Sequence, residues 1–250
     1  MCSIAVAAAA PAIASAASGP GGVSASTPAT APAAPAKPKV VLAPITSKSS
    51  NLAYHGPVYV RTVTGSVVPY APLATAGGAN TTGAASMVTN TTGGASIGPL
   101  KSEGKPQLLV PGNRARYVNG LAAAPMGAPA SIQQMIWAAN QIIGLPYIYG
   151  GGHASFISRG YDCSGTVSFA LHGAKLLTVP EDSSEFETFG SHGAGRWVAI
   201  FANPGHAYMD VAGLRLDTSS ADDPSNQQGP RWRPLRPANE GFVVRHPLGL

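Results

Sequence analysis

Cysteine is nearly absent from this chain, with Cys2 and Cys163 the two in 250 residues. There is no CxxC pair and no Cys/His ligand spacing, so neither structural zinc nor a disulfide framework is expected. HExxH, the P-loop and GxGxxG are missing as well, which removes the signatures of zinc peptidases, P-loop nucleotide hydrolases and dinucleotide enzymes. No metal and no cofactor is called for. Charged residues make up only 11% and aromatics 7%. No apolar run reaches the roughly 18–20 residues needed to cross a bilayer.

What charge there is divides unevenly. Residues 1–130 carry eight Lys or Arg against Glu103 alone, a net +7, whereas residues 131–250 carry eight basic and ten acidic residues, a net −2. Of the first 50 residues, 37 are Ala, Gly, Pro, Ser or Thr, too little large apolar surface to offset the entropy of ordering. Residues 18–130 therefore read as a low-complexity, largely disordered basic linker. A charge this thinly spread is a solvated spacer or a weak, salt-sensitive attachment to an anionic polymer. No Arg/aromatic interleaving or recognition helix points to nucleic acid. The polar segment 80–86, Asn-Thr-Thr-Gly-Ala-Ala-Ser, recurs in near copy at 90–96, and two such copies make no solenoid.

Residues 1–17 read as a secretory signal, with an apolar stretch from Ile4 to Ala17 and small residues at Ala14-Ser15-Ala16, although no basic residue precedes it. Export would remove Cys2 and leave Cys163 as the single thiol. The tryptophans, Trp137, Trp197 and Trp232, all fall in residues 131–250, long enough for one domain with its own core. A monomer is the default.

Order is expected from Ser131. Ser131 and Gln134 make an S-x-x-Q capping box, and Ile132, Met135, Ile136, Ala139, Ile142 and Ile143 share a helical face. A second helix is predicted from Cys163 to Leu177, and a short third one capped by Ser184. The period then changes to two: Trp197 to Ala202, His206 to Val211, Leu214 to Thr218 and Gly241 to Arg245 read as strands. Upstream, Val58 to Val63 and Val67-Val68 around Gly65 are consistent with a hairpin. Helices followed by a meander predict an α+β domain with helices packed on an antiparallel sheet.

The most informative segment is Tyr161-Asp162-Cys163-Ser164-Gly165 before an apolar helical run. A cysteine in a first helical turn sits among unpaired N–H groups at the positive end of the macrodipole, which favours thiolate. A nucleophile of this kind needs a base, and the base an orienting acceptor. His206, opening a strand after Asn203-Pro204-Gly205, is the candidate base. A two-residue turn at Ala212-Gly213 places residue 208 roughly opposite 217, so Asp217 lies within about one pair of His206. A one-residue slip would turn Asp217 away, and Asp210, at even spacing from His206 on its strand, is the rival acceptor. Cys163 as a buried small hydrophobe, His206 as a turn residue and Asp217 as a backbone-bonding turn residue are the bland alternatives. For His153, a surface-loop role is weighed above a cleft-lining one. His172 is read as packing or surface, and His192 and His246 as loop residues.

Gly144-Leu145-Pro146-Tyr147-Ile148-Tyr149-Gly150-Gly151, Tyr161-Asp162-Cys163-Ser164-Gly165 and Gly205-His206-Ala207 together resemble the NlpC superfamily of papain-like cell-wall cysteine peptidases. The resemblance covers about residues 131–246. It implies a bacterial, exported enzyme that cuts amide bonds in peptidoglycan stem peptides without a metal. Cys163 matches the nucleophile, His206 the base and Asp217 the third polar residue. Tyr147, Asp162 and Ser164 match positions that hold the stem peptide's amino end and frame the oxyanion site. The basic tail would then meet anionic wall polymers. The insert from His153 to Gly160 and loop 219–237 are unlike typical members. An acyl or amide transferase, or a wall-binding protein of the same fold with little turnover, are the other readings.

Overall fold

Two of the two-residue hairpins of the fold have both turn residues at positive φ. Asn119-Gly120 (φ 48° and 87°) joins strand β4, Arg116–Val118, to β5, Leu121–Pro125. Ala212-Gly213 (φ 48° and 96°) joins β8, His206–Val211, to β9, Leu214–Asp217. This geometry matches the right-handed twist of the flanking strands, so each turn fixes its register.

The computed structural model describes residues 54–71, 104–223 and 225–250, all within a single unit of the chain. The expected signal segment, most of the expected linker and the near repeat at 80–96 lie outside the described residues. Two sheets and two helices make an α+β fold. The first sheet has the order β2-β1-β3-β5-β4, with β1 at Tyr59–Arg61, β2 at Val67–Pro69 and β3 at Leu108–Val110. Its pairs are antiparallel except β3 with β5. Helices α1, Ala130–Ile142, and α2, Cys163–Gly173, follow. The second sheet, order β10-β9-β8-β7-β11-β6, is antiparallel throughout. It adds β6, Ser191–His192, β7, Val198–Asn203, β10, Arg231–Arg233, and β11, Val243–His246.

The expected start at Ser131 is too late. The hairpin read around Gly65 is present as β1 and β2, and Leu108, Leu109, Val110 and Ala122 to Ala124 are all buried upstream of α1. Leu109, Ala122 and Ala124 share one apolar cluster with Ile132, Met135 and Ile136 of α1, Val167 and Leu171 of α2, and Ile200, Met209 and Leu216 of the second sheet. The first helix is thus covered on both sides, not on one. The expected capping box does not form: Pro129 is the N-cap and makes no side-chain cap, which moves Ser131 inside the first turn. The second helix stops at Gly173, not Leu177, where the chain turns through Lys175 at φ 61°. The third helix is a single 3₁₀ turn, Glu185–Glu187, and Asp182, not Ser184, accepts from the Ser184 and Glu185 N–H groups. His192 and His246 lie in β6 and β11, not in loops.

Asn140 ties these parts together. Its Oδ1 accepts from Ala122 N (3.0 Å) and Trp232 Nε1 (2.8 Å), and its Nδ2 donates to Ala122 O (2.8 Å). One fully buried amide therefore joins α1 to both sheets. Asn140→Leu leaves those three buried groups without partners, and should lower stability by about 3 kcal/mol or more, read as a reduced urea midpoint.

Candidate active site

A glycine-walled loop seats the nucleophile. A side chain at Gly165 would put its Cβ 2.1 Å from Gly151 O, so only glycine lets the loop lie on the first turn of α2. Asp162 locks that contact as the helix N-cap. Its Oδ1 accepts from Gly165 N (2.8 Å), its Oδ2 accepts from Gly150 N (2.9 Å), and its own N–H donates to Gly151 O (3.2 Å). Cys163 is consequently the first residue inside α2, a free and partly exposed thiol at the positive helix end.

The base is placed by a second fixed turn. Asn203 Oδ1 accepts from both Gly205 N (3.0 Å) and His206 N (2.9 Å), which sets His206 at the start of β8. Its Nε2 lies 2.9 Å from Asp217 Oδ1, which also accepts from Ser219 N at 2.9 Å. The imidazole also interacts with the Cys163 sulfur, and each shifts the other's titration. His206 therefore bridges a thiol at the end of α2 and a wholly buried carboxylate on β9.

The electrostatics favour charge separation. Burial alone pushes the Cys163 thiol up, but the His206 hydrogen bond, the Ala207 N–H and the imidazolium charge outweigh it, so the thiol lies below its ordinary value; Asp162 opposes them. Burial alone would lower His206. The hydrogen bonds to Asp217 and Cys163, followed by their negative charges, overcome it and raise the imidazole to about 9. The Tyr147 hydroxyl is pushed up by burial first, then by the charges of Cys163 and Asp162, so it stays a donor.

Cys163, His206 and Asp217 thus come together as the residue pattern suggested. The rival Asp210 does not serve His206: it is buried opposite Ala199 and Arg215, and burial drives its carboxyl well up. Ser164 is buried, with Oγ 3.2 Å from His153 Nε2 and 3.5 Å from Asp162 Oδ1, so its side chain serves the loop junction. His153 is no free surface residue, since its Nε2 also lies 3.0 Å from Asp162 Oδ1. The same ring nitrogen faces both Ser164 and Asp162, so these three form no proton relay. His172 packs, with its ring stacked on Phe156 at 3.8 Å. Among the described residues, no group of three or more His, Cys, Asp or Glu is disposed to hold a metal ion. The residue missed in the sequence is Arg215, fully buried beside Asp217; two charges two apart in Leu214-Arg215-Leu216-Asp217 were the available signal.

No family model matches the chain, and no curated protein matches it.

A raised imidazole adds stability that is complete below the unfolded histidine value of 6.5 and lost as pH rises through about 9. The thiolate half works in the opposite sense, appearing as pH rises through a value lower than 9.0. Iodoacetamide should therefore alkylate Cys163 of the folded protein well below the pH required by the unfolded chain. In His206→Ala only burial and Asp162 oppose the remaining N–H, so the acid limb of the alkylation profile should move up by about one pH unit or more.

Proposed function

We propose that this chain is a papain-like, NlpC-type cysteine hydrolase that cleaves amide bonds in peptidoglycan stem peptides. The observation that carries the proposal is the placement of His206, with Nε2 on Asp217 Oδ1 at 2.9 Å and the imidazole near enough to Cys163, the first residue of α2, to lower its thiol. A thiol placed only as a small hydrophobe requires neither a paired imidazole nor a buried acceptor behind it. Peptidoglycan as substrate rests on the resemblance of the Pro146 to Gly151 and Asp162 to Gly165 motifs. Export to the bacterial cell wall, action as a monomer and weak attachment of the basic N-terminal region to anionic wall polymers belong to the same reading.

Each residue then has a role. The Cys163 thiolate adds to the scissile carbonyl carbon, forming a carbon–sulfur bond and pushing the carbonyl electrons onto oxygen. The backbone N–H of Cys163, at the helix start, donates to that oxyanion, and the Tyr147 hydroxyl is the nearby side-chain donor. As the tetrahedral species collapses, the carbon–nitrogen bond breaks and His206 delivers its proton to the departing amine. The now neutral imidazole takes a proton from water, whose oxygen attacks the thioester and releases the acid. The carbon–sulfur bond breaks with its electrons going to sulfur, and the departing thiolate beside the protonated imidazole restores the thiolate–imidazolium pair. Asp217 stays on Nε2 throughout and holds the ring. Asp162 and Ser164 shape the wall of the cleft by fixing loop and helix.

Purified peptidoglycan incubated with the enzyme should release new amino groups, and Cys163→Ala should release none. His206→Ala should slow release by about 10²–10⁴-fold, and Asp217→Ala by less. Equal release by wild type and Cys163→Ala overturns the proposal. Mass analysis of the fragments separates hydrolysis, which adds water, from acyl transfer to an amine or alcohol.

A further inference from the structure

Behind Asp217 lies a buried charge that the bond-cutting steps do not employ. Strand alternation places Tyr208 and Asp210 of β8, Arg215 and Asp217 of β9 and Arg233 of β10 on one face of the second sheet. It is the face opposite the cluster that includes α1 and α2, and Ala221, Asn239 and Phe242 reach over it. Arg215 Nη2 donates to Ala221 O at 2.6 Å, the Tyr208 hydroxyl donates to Asn239, and Phe242 meets the Tyr208 ring at 5.2 Å. Arg215 is wholly buried there, a costly position for a cation.

The neighbouring charges have partners of their own. Arg233 is bonded to Asp223, while also donating to the Asp217 carbonyl (3.2 Å) and feeling the Asp217 charge, and Arg236 donates to Asp222 at 3.1 Å. Arg231, across the ladder from Asp217, donates to Gln227 Oε1 and Pro230 O. Asp210 faces Arg215 across the ladder, but the ion pair within 4.0 Å that Arg215 makes is to Asp217. That leaves Asp217, whose Oδ2 is 3.4 Å from Arg215 Nη1 while its Oδ1 holds His206. The contact is within ion-pair range but is not aligned as a hydrogen bond, because Nη1, Nε and Oδ2 have no hydrogen-bond partner. A cation buried for stability alone would have these nitrogens satisfied, and apolar replacements of buried ion pairs are often neutral or stabilising. What the guanidinium supplies here is its field.

We propose that Arg215 is a positioning residue for the Cys163–His206 pair: its buried charge draws Asp217 Oδ2 inward, leaves Oδ1 aimed at His206, and so holds the imidazole that serves the sulfur. The inference rests on the proposed reading of Cys163 and His206 as a working pair, but not on the identity of the substrate. The imidazole is what lowers the thiol, so a loosened His206 moves the acid limb upward, by up to about one pH unit.

The test compares Arg215→Lys, Arg215→Gln and Arg215→Met with wild type, reading the pH profile of Cys163 alkylation by iodoacetamide. Gln can still donate to Ala221 O but carries no charge; Lys keeps the charge but loses the planar fork. The Gln and Met variants should show an acid limb about one pH unit higher, with kcat on peptidoglycan reduced and KM little changed, and Lys should restore most of the wild-type profile. If Met does not fold, the Gln–Lys pair decides. A Gln variant whose acid limb coincides with wild type, or Gln and Lys variants that shift equally, overturns the proposal, because a purely structural role predicts no dependence on charge. A wild-type protein with this alkylation profile but no release from peptidoglycan overturns the substrate instead, and leaves the role of Arg215 standing.

Discussion

The register of one hairpin decides whether this molecule has a site at all. Val211 pairs with Leu214 across Ala212-Gly213, and counting back along both strands brings His206 and Asp217 onto the same face. A slip of one residue would turn the carboxylate into the apolar cluster and leave the imidazole unsupported. The turn itself is strained for an alanine, since Ala212 has φ 48°, a region that costs an L-residue about 1–2 kcal/mol. Two bonds from outside the hairpin hold it: Ala212 N donates to Trp197 O (2.8 Å), and Ala115 N donates to Ala212 O (2.9 Å). Ala115 lies between β3 and β4, so a loop of the first sheet helps keep the second in register.

On that frame, charge is managed by giving each ion a specific partner. Asp162 illustrates the conflict. Its carboxylate caps α2 and welds the loop to the helix, yet it is an anion near a sulfur that must also be an anion, and it raises the thiol accordingly. Its oxygens are engaged by Gly165 N, Gly150 N and His153, which draws much of that charge away from Cys163. At the other end of the site the sign reverses: Asp217 raises His206, and the raised imidazole in turn lowers the thiol. Thiolate and imidazolium support each other, and neither value belongs to one group alone.

Most of the site was legible because its signals are local. The apolar run after Asp162-Cys163-Ser164-Gly165, the Asn-Pro-Gly turn before His206 and the two-residue turn before Leu214 each have a backbone meaning that tertiary context did not override. Beyond the β1–β2 hairpin, the first sheet escaped notice because β3 and β4 are three residues each, too short for a period to register. Strand β5, Leu-Ala-Ala-Ala-Pro, reads by composition like the alanine-rich segments before it. The Asn119-Gly120 pair was the strongest hairpin signal there, masked by its low-complexity surroundings. Strand β10 was lost inside what read as a polar loop, since Arg231 and Arg233 flank a single tryptophan. The capping box misled because Ser131 and Gln134 fit the pattern, while Pro129 moved the helix start.

These omissions share a physical cause that bears on how the site is held. Residues 104–128 contribute small and apolar groups whose value lies in what they cover, and covering cannot be read without the partner. Trp137 Nε1 donates to Leu108 O at 2.9 Å, and Asn140 takes both backbone groups of Ala122. The same Asn140 accepts from Trp232 on β10, which pairs with β9 along Arg231, Trp232 and Arg233. Asp217 is the residue opposite Arg231. The first sheet is therefore part of the support for the edge of the second that carries the acid, and stripping it away as a tether would loosen the strand on which the His206 acceptor stands.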